Sequence, residues 1–228
     1  FDIYKEKYDN FKVLRLECEF NYSYLNNEAV KIASGEYIVL LNNDTEVISP
    51  LWLHDMVGYA SQAHIGCVGA KLLYPNQTVQ HAGVVIGVGG IAMHANVSTG
   101  RNQYGYFGRL VSVYDWSCVT AACLMVKKEK YLEVLGLDEK LKVAYNDVDF
   151  NLKLLKNGYN NVVLPHVELF HYESLSRGND MRDDQIKRFK EETDYMCDKW
   201  KEKLLSDPFY NDNMSYGYAF RLDKKSEE

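Results

Sequence analysis

The feature that most constrains this chain is a continuous apolar run, Tyr37-Ile38-Val39-Leu40-Leu41, that stops abruptly at Asn42-Asn43-Asp44. Five apolar residues without alternation read as a strand covered on both faces, the pattern of a parallel strand inside an α/β sheet. What surrounds it agrees. Asn26 to Ser34 reads as a short helix closed by Gly35, and Ser49-Pro50 supplies an N-cap and a first-turn proline for a second helix carrying Trp52, Leu53, Met56, Val57 and Ala60. A strand near Cys67 to Leu73 follows, so the order is α-β-α-β, which predicts a mostly parallel central sheet flanked by helices.

Beyond residue 73 the chain is glycine-rich to about Leu110, with Val84-Val85-Ile86 as its strand core. From Leu72 to Gly100 there is no Asp, Glu, Lys or Arg, yet Pro75, several amides, two histidines and five glycines rule out a membrane helix. Val119 to Val126 reads as a strand and Lys127 to Leu135 as a helix ended by Gly136. A further helix begins at Asn146 with Val148, Leu152 and Leu155 on one face, then come short strands at Val162–Leu164 and Val167–Phe170. Asp180 to Leu205 reads as a charged helix with an apolar packing stripe. We read one domain over residues 1–228, with 180–228 as a helical C-terminal extension.

Charge excludes some partners. Lys and Arg number 26 against 32 Asp and Glu, a net charge of −6, and no basic stripe stands out, which disfavours nucleic acid. The five scattered cysteines include no C-x-x-C pair, so neither a disulfide framework nor a zinc ribbon is expected, and a reducing cytoplasmic setting fits. No signal peptide stands at Phe1-Asp2-Ile3.

Chemistry belongs at the carboxyl ends of the strands, where ligands bind in open α/β sheets. Asp44 stands at such an end; a loop Asp capping the next helix is the alternative. Asp147 and Asp149 open a helix, where the dipole favours acids for stability alone, and their i, i+2 spacing lets only one face a given site. A general base at Asp147 is the functional reading. His171 ends an apolar run, and imidazole with carboxylate and phosphate oxygens suits Mn²⁺ or Mg²⁺ if it converges with Asp44. Arg177 is placed to clamp a diphosphate or to lie solvated. His81 and His94 either let backbone approach a ligand or shape a turn, and Gly87-x-Gly89-Gly90 lacks the spacing of a phosphate loop.

Ala33-Ser34-Gly35-Glu36-Tyr37 leading to Leu40-Leu41-Asn42-Asn43-Asp44-Thr45-Glu46-Val47 resembles the strand and DxD-type motif of family-2 glycosyltransferases with the Rossmann-like GT-A fold. Thr120 to Val126, Gly136-Leu137-Asp138-Glu139, Asn146-Asp147-Val148-Asp149-Phe150, and Leu169-Phe170-His171-Tyr172-Glu173-Ser174 with Ser176-Arg177-Gly178 resemble that family's later motifs in the same order. The likeness covers about residues 10 to 215 and extends to bacterial O-antigen and surface-polysaccharide members, including rhamnosyltransferase-like ones.

That resemblance implies a metal-dependent, inverting transfer of sugar from a nucleotide-diphosphate donor to a glycan or lipid-linked saccharide acceptor. It places Asn42, Asn43, Asp44 and Arg177 at the donor, Asp44 and His171 on a divalent metal, Asp147 as base with Asp149 nearby, and Trp116 at the acceptor border. Asn42 stands where the motif has its first acid, and Asn146 where the family has Glu. Roughly sixty to seventy residues of a complete nucleotide-binding unit are expected before this chain's first residues, making it N-terminally incomplete. An incomplete sheet would expose an edge suited to homo-oligomer pairing, and the acceptor would bring the protein to the inner face of the membrane. The alternative is a catalytically silent glycan-binding or assembly module; a nucleotidyltransferase is disfavoured by the lack of a lysine-bearing phosphate loop.

Overall fold

A computed structural model describes residues 1–172, 183–217 and 219–220. Its helices are α1 (Asp2–Lys7), α2 (Tyr22–Ile32), α3 (Trp52–Ala60), α4 (Lys128–Glu133), α5 (Asn146–Lys156) and α6 (Asp183–Trp200). Its strands are β1 (Tyr37–Leu41), β2 (Thr45–Val47), β3 (Ile65–Leu73), β4 (Val79–His81), β5 (Val84–Ile86), β6 (Ala92–His94), β7 (Tyr114–Trp116), β8 (Cys123–Lys127) and β9 (Asn160–His171). Seven strands form one sheet in the order β1-β8-β3-β9-β2, with β4 on β3 and β7 on β9, while β5 and β6 make a separate hairpin.

The sheet is mixed and mostly antiparallel, which corrects the expectation of a mostly parallel one. Only β3 and β9 pair in parallel; β1–β8, β8–β3, β3–β4, β7–β9 and β9–β2 are antiparallel. The α-β alternation does send β1, β3 and β9 the same way. What it misses is β8, which enters from the opposite direction and lies between β1 and β3, hydrogen-bonded to both. Unbroken apolar runs also had a second explanation. Helices cover both faces, so an antiparallel strand here needs apolar residues on both sides as well.

Alternation along the strands assigns these faces. Ile38, Leu40, Leu124 and Val126 join Val30 of α2, Tyr131 of α4 and Phe150 and Leu154 of α5 in one core. Val68, Ala70, Leu72, Cys123 and Met125 face the other way, onto Met56 and Ala60 of α3. Burying a side chain such as Met56 contributes roughly 1.5–3 kcal/mol, and both layers depend on many such residues. A third cluster docks α6 through Met196 and Trp200 onto Val84, Ile86, Leu141, Val148 and Leu152.

Several local expectations shift. α2 begins four residues early, capped by Asn21, whose side chain accepts from the Tyr24 amide at 3.0 Å. It ends at Ile32 with Ala33 extended, so Gly35 is not its left-handed cap. Ser49 does not cap α3, which starts after Leu51. Its hydroxyl instead donates to the His166 carbonyl and accepts from the Glu168 amide, both at 2.9 Å, tying the loop to β9. The two short strands expected around Pro165 are one strand, with its register against β3 broken between Leu164 and Glu168. Among the described residues, no helix is long and apolar enough to cross a membrane. Cys67, Cys118 and Cys123 are buried free thiols, and Cys18 and Cys197 are exposed ones.

Candidate active site

β1 and β9 run in the same direction, so Asn42-Asn43-Asp44 and His171 emerge at the same end of the sheet. Because β8 runs the other way, its entering segment Thr120-Ala121-Ala122 lies beside them, and the Asn42 amide donates to the Ala122 carbonyl at 3.0 Å. β2 pairs Thr45 with His171 across the sheet edge, and the Tyr172 amide donates to the Asp44 carbonyl at 2.9 Å. These bonds close a polar cleft of about 530 Å³ whose walls include Asn42, Asn43, Asp44, Thr120, Ala121, Asp147 and His171.

Within it, Asp44 Oδ1 lies 3.2 Å from His171 Nε2. That oxygen is buried and accepts no hydrogen bond. An orphaned carboxylate oxygen is costly, and one facing an imidazole nitrogen is the donor set a divalent cation satisfies. Among the described residues there is no group of three or more His, Cys, Asp or Glu side chains that could hold a metal. Two protein ligands completed by phosphate oxygens is a usual arrangement for Mg²⁺, so the pair fits a divalent ion that arrives with a diphosphate.

Asp147 reaches the same cleft from the first turn of α5. Glu192 of α6 accepts from the Val143 and Ala144 amides at 3.0 and 2.8 Å, and Tyr145 then takes a left-handed φ of 60° to start the helix. A non-glycine residue in that conformation is uncommon and costs energy; here it turns the chain so that residue 147 faces inward. Asp147 Oδ2 accepts from the Ala121 amide at 3.1 Å and Oδ1 from the Val148 amide at 2.8 Å, which fixes the carboxylate and leaves lone pairs toward the cleft. Asn151 secures the facing segment, accepting from the Val119 amide at 3.1 Å and donating to its carbonyl at 2.9 Å.

Asp149 has a different fate. It is fully buried, accepts from Trp200 Nε1 at 2.8 Å, and pairs with Lys199 at 2.7 Å and Lys153 at 3.5 Å. The i, i+2 spacing thus divides the two acids between site and α6 interface. Trp116, expected at the acceptor border, is in the core instead, 1% exposed, with the Arg109 guanidinium 4.8 Å above its ring. Gly83 leaves room for that ring: a Cβ there would stand 2.1 Å from Trp116. Arg177 lies outside the described residues.

Two wall residues, and a third behind the wall, were not anticipated. Tyr22, whose backbone amide at the start of α2 donates to the Lys142 carbonyl at 2.8 Å, donates its hydroxyl to the Ala121 carbonyl at 3.2 Å. Burial, and then the Asp147 charge, push that phenol well above its ordinary range. Phe20 borders the same cleft, and Gln80 meets His171 from behind. Gln80 and His81 carried the one available signal, two polar residues inside a short segment that is otherwise apolar. His81 is fully buried, and burial together with the neighbouring His94 and His171 holds its imidazole well below the usual histidine range. Its Nε2 accepts from the Thr120 amide at 3.4 Å and its Nδ1 meets His94 Nδ1 at 3.1 Å, so it braces the cleft wall as a neutral ring.

The model for the family described as Glycosyl transferase family 2 matches residues 2–135. An uncharacterized protein of Sinorhizobium fredii is 48% identical over 205 residues, covering 90% of this chain and 23% of that protein. The O-antigen biosynthesis protein RfbC of Myxococcus xanthus is 41% identical over 162 residues, 71% of this chain and 13% of its own length. The chain therefore spans less than a quarter of either relative. The crystal structure of GalNAc-T7 with UDP, GalNAc and Mn²⁺ superposes with a TM-score of 0.67 at 13% identity, covering 90% of this chain and 40% of that one, a likeness of fold. The family match covers more than half of the residues, and its motif residues fold around one cleft: this chain belongs to glycosyl transferase family 2.

Proposed function

We propose that this chain carries the phosphate-binding and catalytic part of an inverting, metal-dependent glycosyltransferase. It moves a sugar from a nucleotide-diphosphate donor to a hydroxyl of a glycan or lipid-linked saccharide, in the synthesis of a bacterial surface polysaccharide. The observation that carries this reading is the convergence of Asp44, His171 and Asp147 on one cleft from three separate parts of the chain. The O-antigen relative supports the process, and the GT-A structure with UDP and Mn²⁺ supports the donor and metal class.

Asp44 and His171 would hold Mn²⁺ or Mg²⁺. Bound there, the ion would supply positive charge against the leaving diphosphate. Asn42 and Asn43 line the donor's side of the cleft, and Arg177 is proposed as a further diphosphate contact. Asp147, fixed by two backbone amides, accepts the proton of the acceptor hydroxyl as that oxygen bonds to the anomeric carbon and the bond to the diphosphate breaks. The sugar inverts in a single displacement, and no covalent enzyme intermediate forms. The protein works in the cytoplasm, meeting its acceptor at the inner face of the membrane.

The test is calorimetric titration with UDP, dTDP and GDP, with and without Mn²⁺, alongside His171→Ala. Manganese-dependent binding that the variant loses is expected, and binding indifferent to both metal and variant would overturn the metal assignment. One observation favours a silent glycan-binding module: Asn42 stands where the motif has an acid and turns its amide toward His171 Nε2 at 3.2 Å. Release of nucleoside diphosphate in the presence of acceptor decides for the transferase; glycan binding without nucleotide or metal decides for the module.

A further inference from the structure

Gln80 lies on β4, 5% exposed, on the side of His171 away from Asp44. Both ends of its amide meet residue 171: Nε2 donates to the His171 backbone carbonyl at 3.4 Å, and Oε1 stands 2.6 Å from the ring Nδ1. The first contact sets which way the amide points. The second therefore brings a carbonyl oxygen, which can only accept, against Nδ1. Nδ1 must carry the proton, and in the neutral ring the electron pair is left on Nε2. The other side of the ring agrees, because Asn42 Nδ2, a donor, stands 3.2 Å from Nε2.

We infer that Gln80 is a positioning residue: it holds His171 in the Nδ1–H tautomer and so aims an electron pair, rather than an N–H, at Asp44 and the cleft. Without that hold, the opposite tautomer would turn an N–H toward the Asp44 carboxylate. A proton on Nε2 would then stand in place of the electron pair that a cation needs. The consequence for metal rests on the function proposed above; the tautomer itself does not. Partners behind a ligating imidazole act this way generally, fixing its tautomer and orientation.

The test is a two-bond proton–nitrogen NMR correlation on the ¹⁵N-labelled, metal-free protein at about pH 8.5, where an ordinary imidazole is neutral. His171 is identified by the signals lost in His171→Gln. The wild type is expected to show the Nδ1–H form. Gln80→Met, which removes the acceptor at similar length, is expected to shift His171 toward Nε2–H, and Gln80→Glu, which keeps an acceptor, to restore Nδ1–H. A parallel Mn²⁺ titration in the presence of UDP is expected to weaken about 10–100-fold in Gln80→Met and to recover in Gln80→Glu. An Nε2–H ring in the wild type overturns the inference without any variant, as does a tautomer identical in wild type and Gln80→Met. A tautomer that shifts as expected with no Mn²⁺ bound by any form would leave Gln80 in its role and remove the metal from the proposed function.

Discussion

Asp147 and Asp149 differ by two positions and by everything that surrounds them, so their substitutions should fail in different ways. Asp147→Asn is expected to lower sugar transfer by about 10²–10⁴-fold while nucleotide affinity stays near wild type, at a stability cost of about 1–3 kcal/mol because only one of the two backbone amides keeps an acceptor; steady-state transfer beside calorimetry checks this. Asp149→Asn should do the reverse. It leaves Lys153 without its buried counter-charge and Lys199 with Asp138 alone, a loss of up to about 3–5 kcal/mol that urea unfolding would register, with transfer per folded molecule retained. Gly83→Ala is a third case, because its φ of 110° and the Trp116 ring 2.1 Å from the added carbon leave no relaxed conformation; an insoluble or strongly destabilised protein is expected. At this scale the motif residues were legible, since Asp44, Asp147 and His171 all reach the cleft. Gln80 and Tyr22 were not, because their roles come from contacts across 91 and 99 residues that no local spacing encodes.

Among the elements, α6 does more than cover a face. Glu192 orders the turn before α5, Trp200 and Lys199 reach Asp149, and Lys199 also pairs with Asp138 at 2.6 Å. Burial raises the Asp138 carboxyl, but Lys199, the Tyr195 hydroxyl at 2.7 Å and the Lys140 amide at 3.0 Å outweigh it and hold the group at about 2. An acid depressed from about 3.9 adds stability that is complete above that value and is lost as pH falls through the folded one. The docking of α6 should therefore weaken between about pH 4 and pH 2, and Asp138→Asn should flatten that part of the curve of urea midpoint against pH. Helix existence was readable from apolar spacing at α3, α5 and α6. Helix starts were less so, because Asn21 and Ser49 are both good caps by type and only tertiary partners decided that the first caps a helix while the second ties a loop to β9.

For the molecule as a whole, the sheet orders stability. β3 is buried along its full length and paired on both sides, by β8 and β9, whereas α1 has no buried residue. Hydrogen exchange should therefore be slowest in β3 and fastest in α1; comparable protection in the two would contradict this architecture. Strand direction was legible for β1, β3 and β9, while neighbour order was not, since period and burial look alike in any strand covered on both faces. The intervening β8 has one more effect. The chain leaves β3 and comes back beside it as an antiparallel partner, so residues 74–122 form, in topological terms, the tip of one very long hairpin. Closing such a tip costs only about 0.6 kcal/mol more for each doubling of its length. A lineage could therefore lengthen the exposed part of the stretch between β6 and β7, while β5, on which α6 docks, and the strands that hold Asp44 and His171 keep their places.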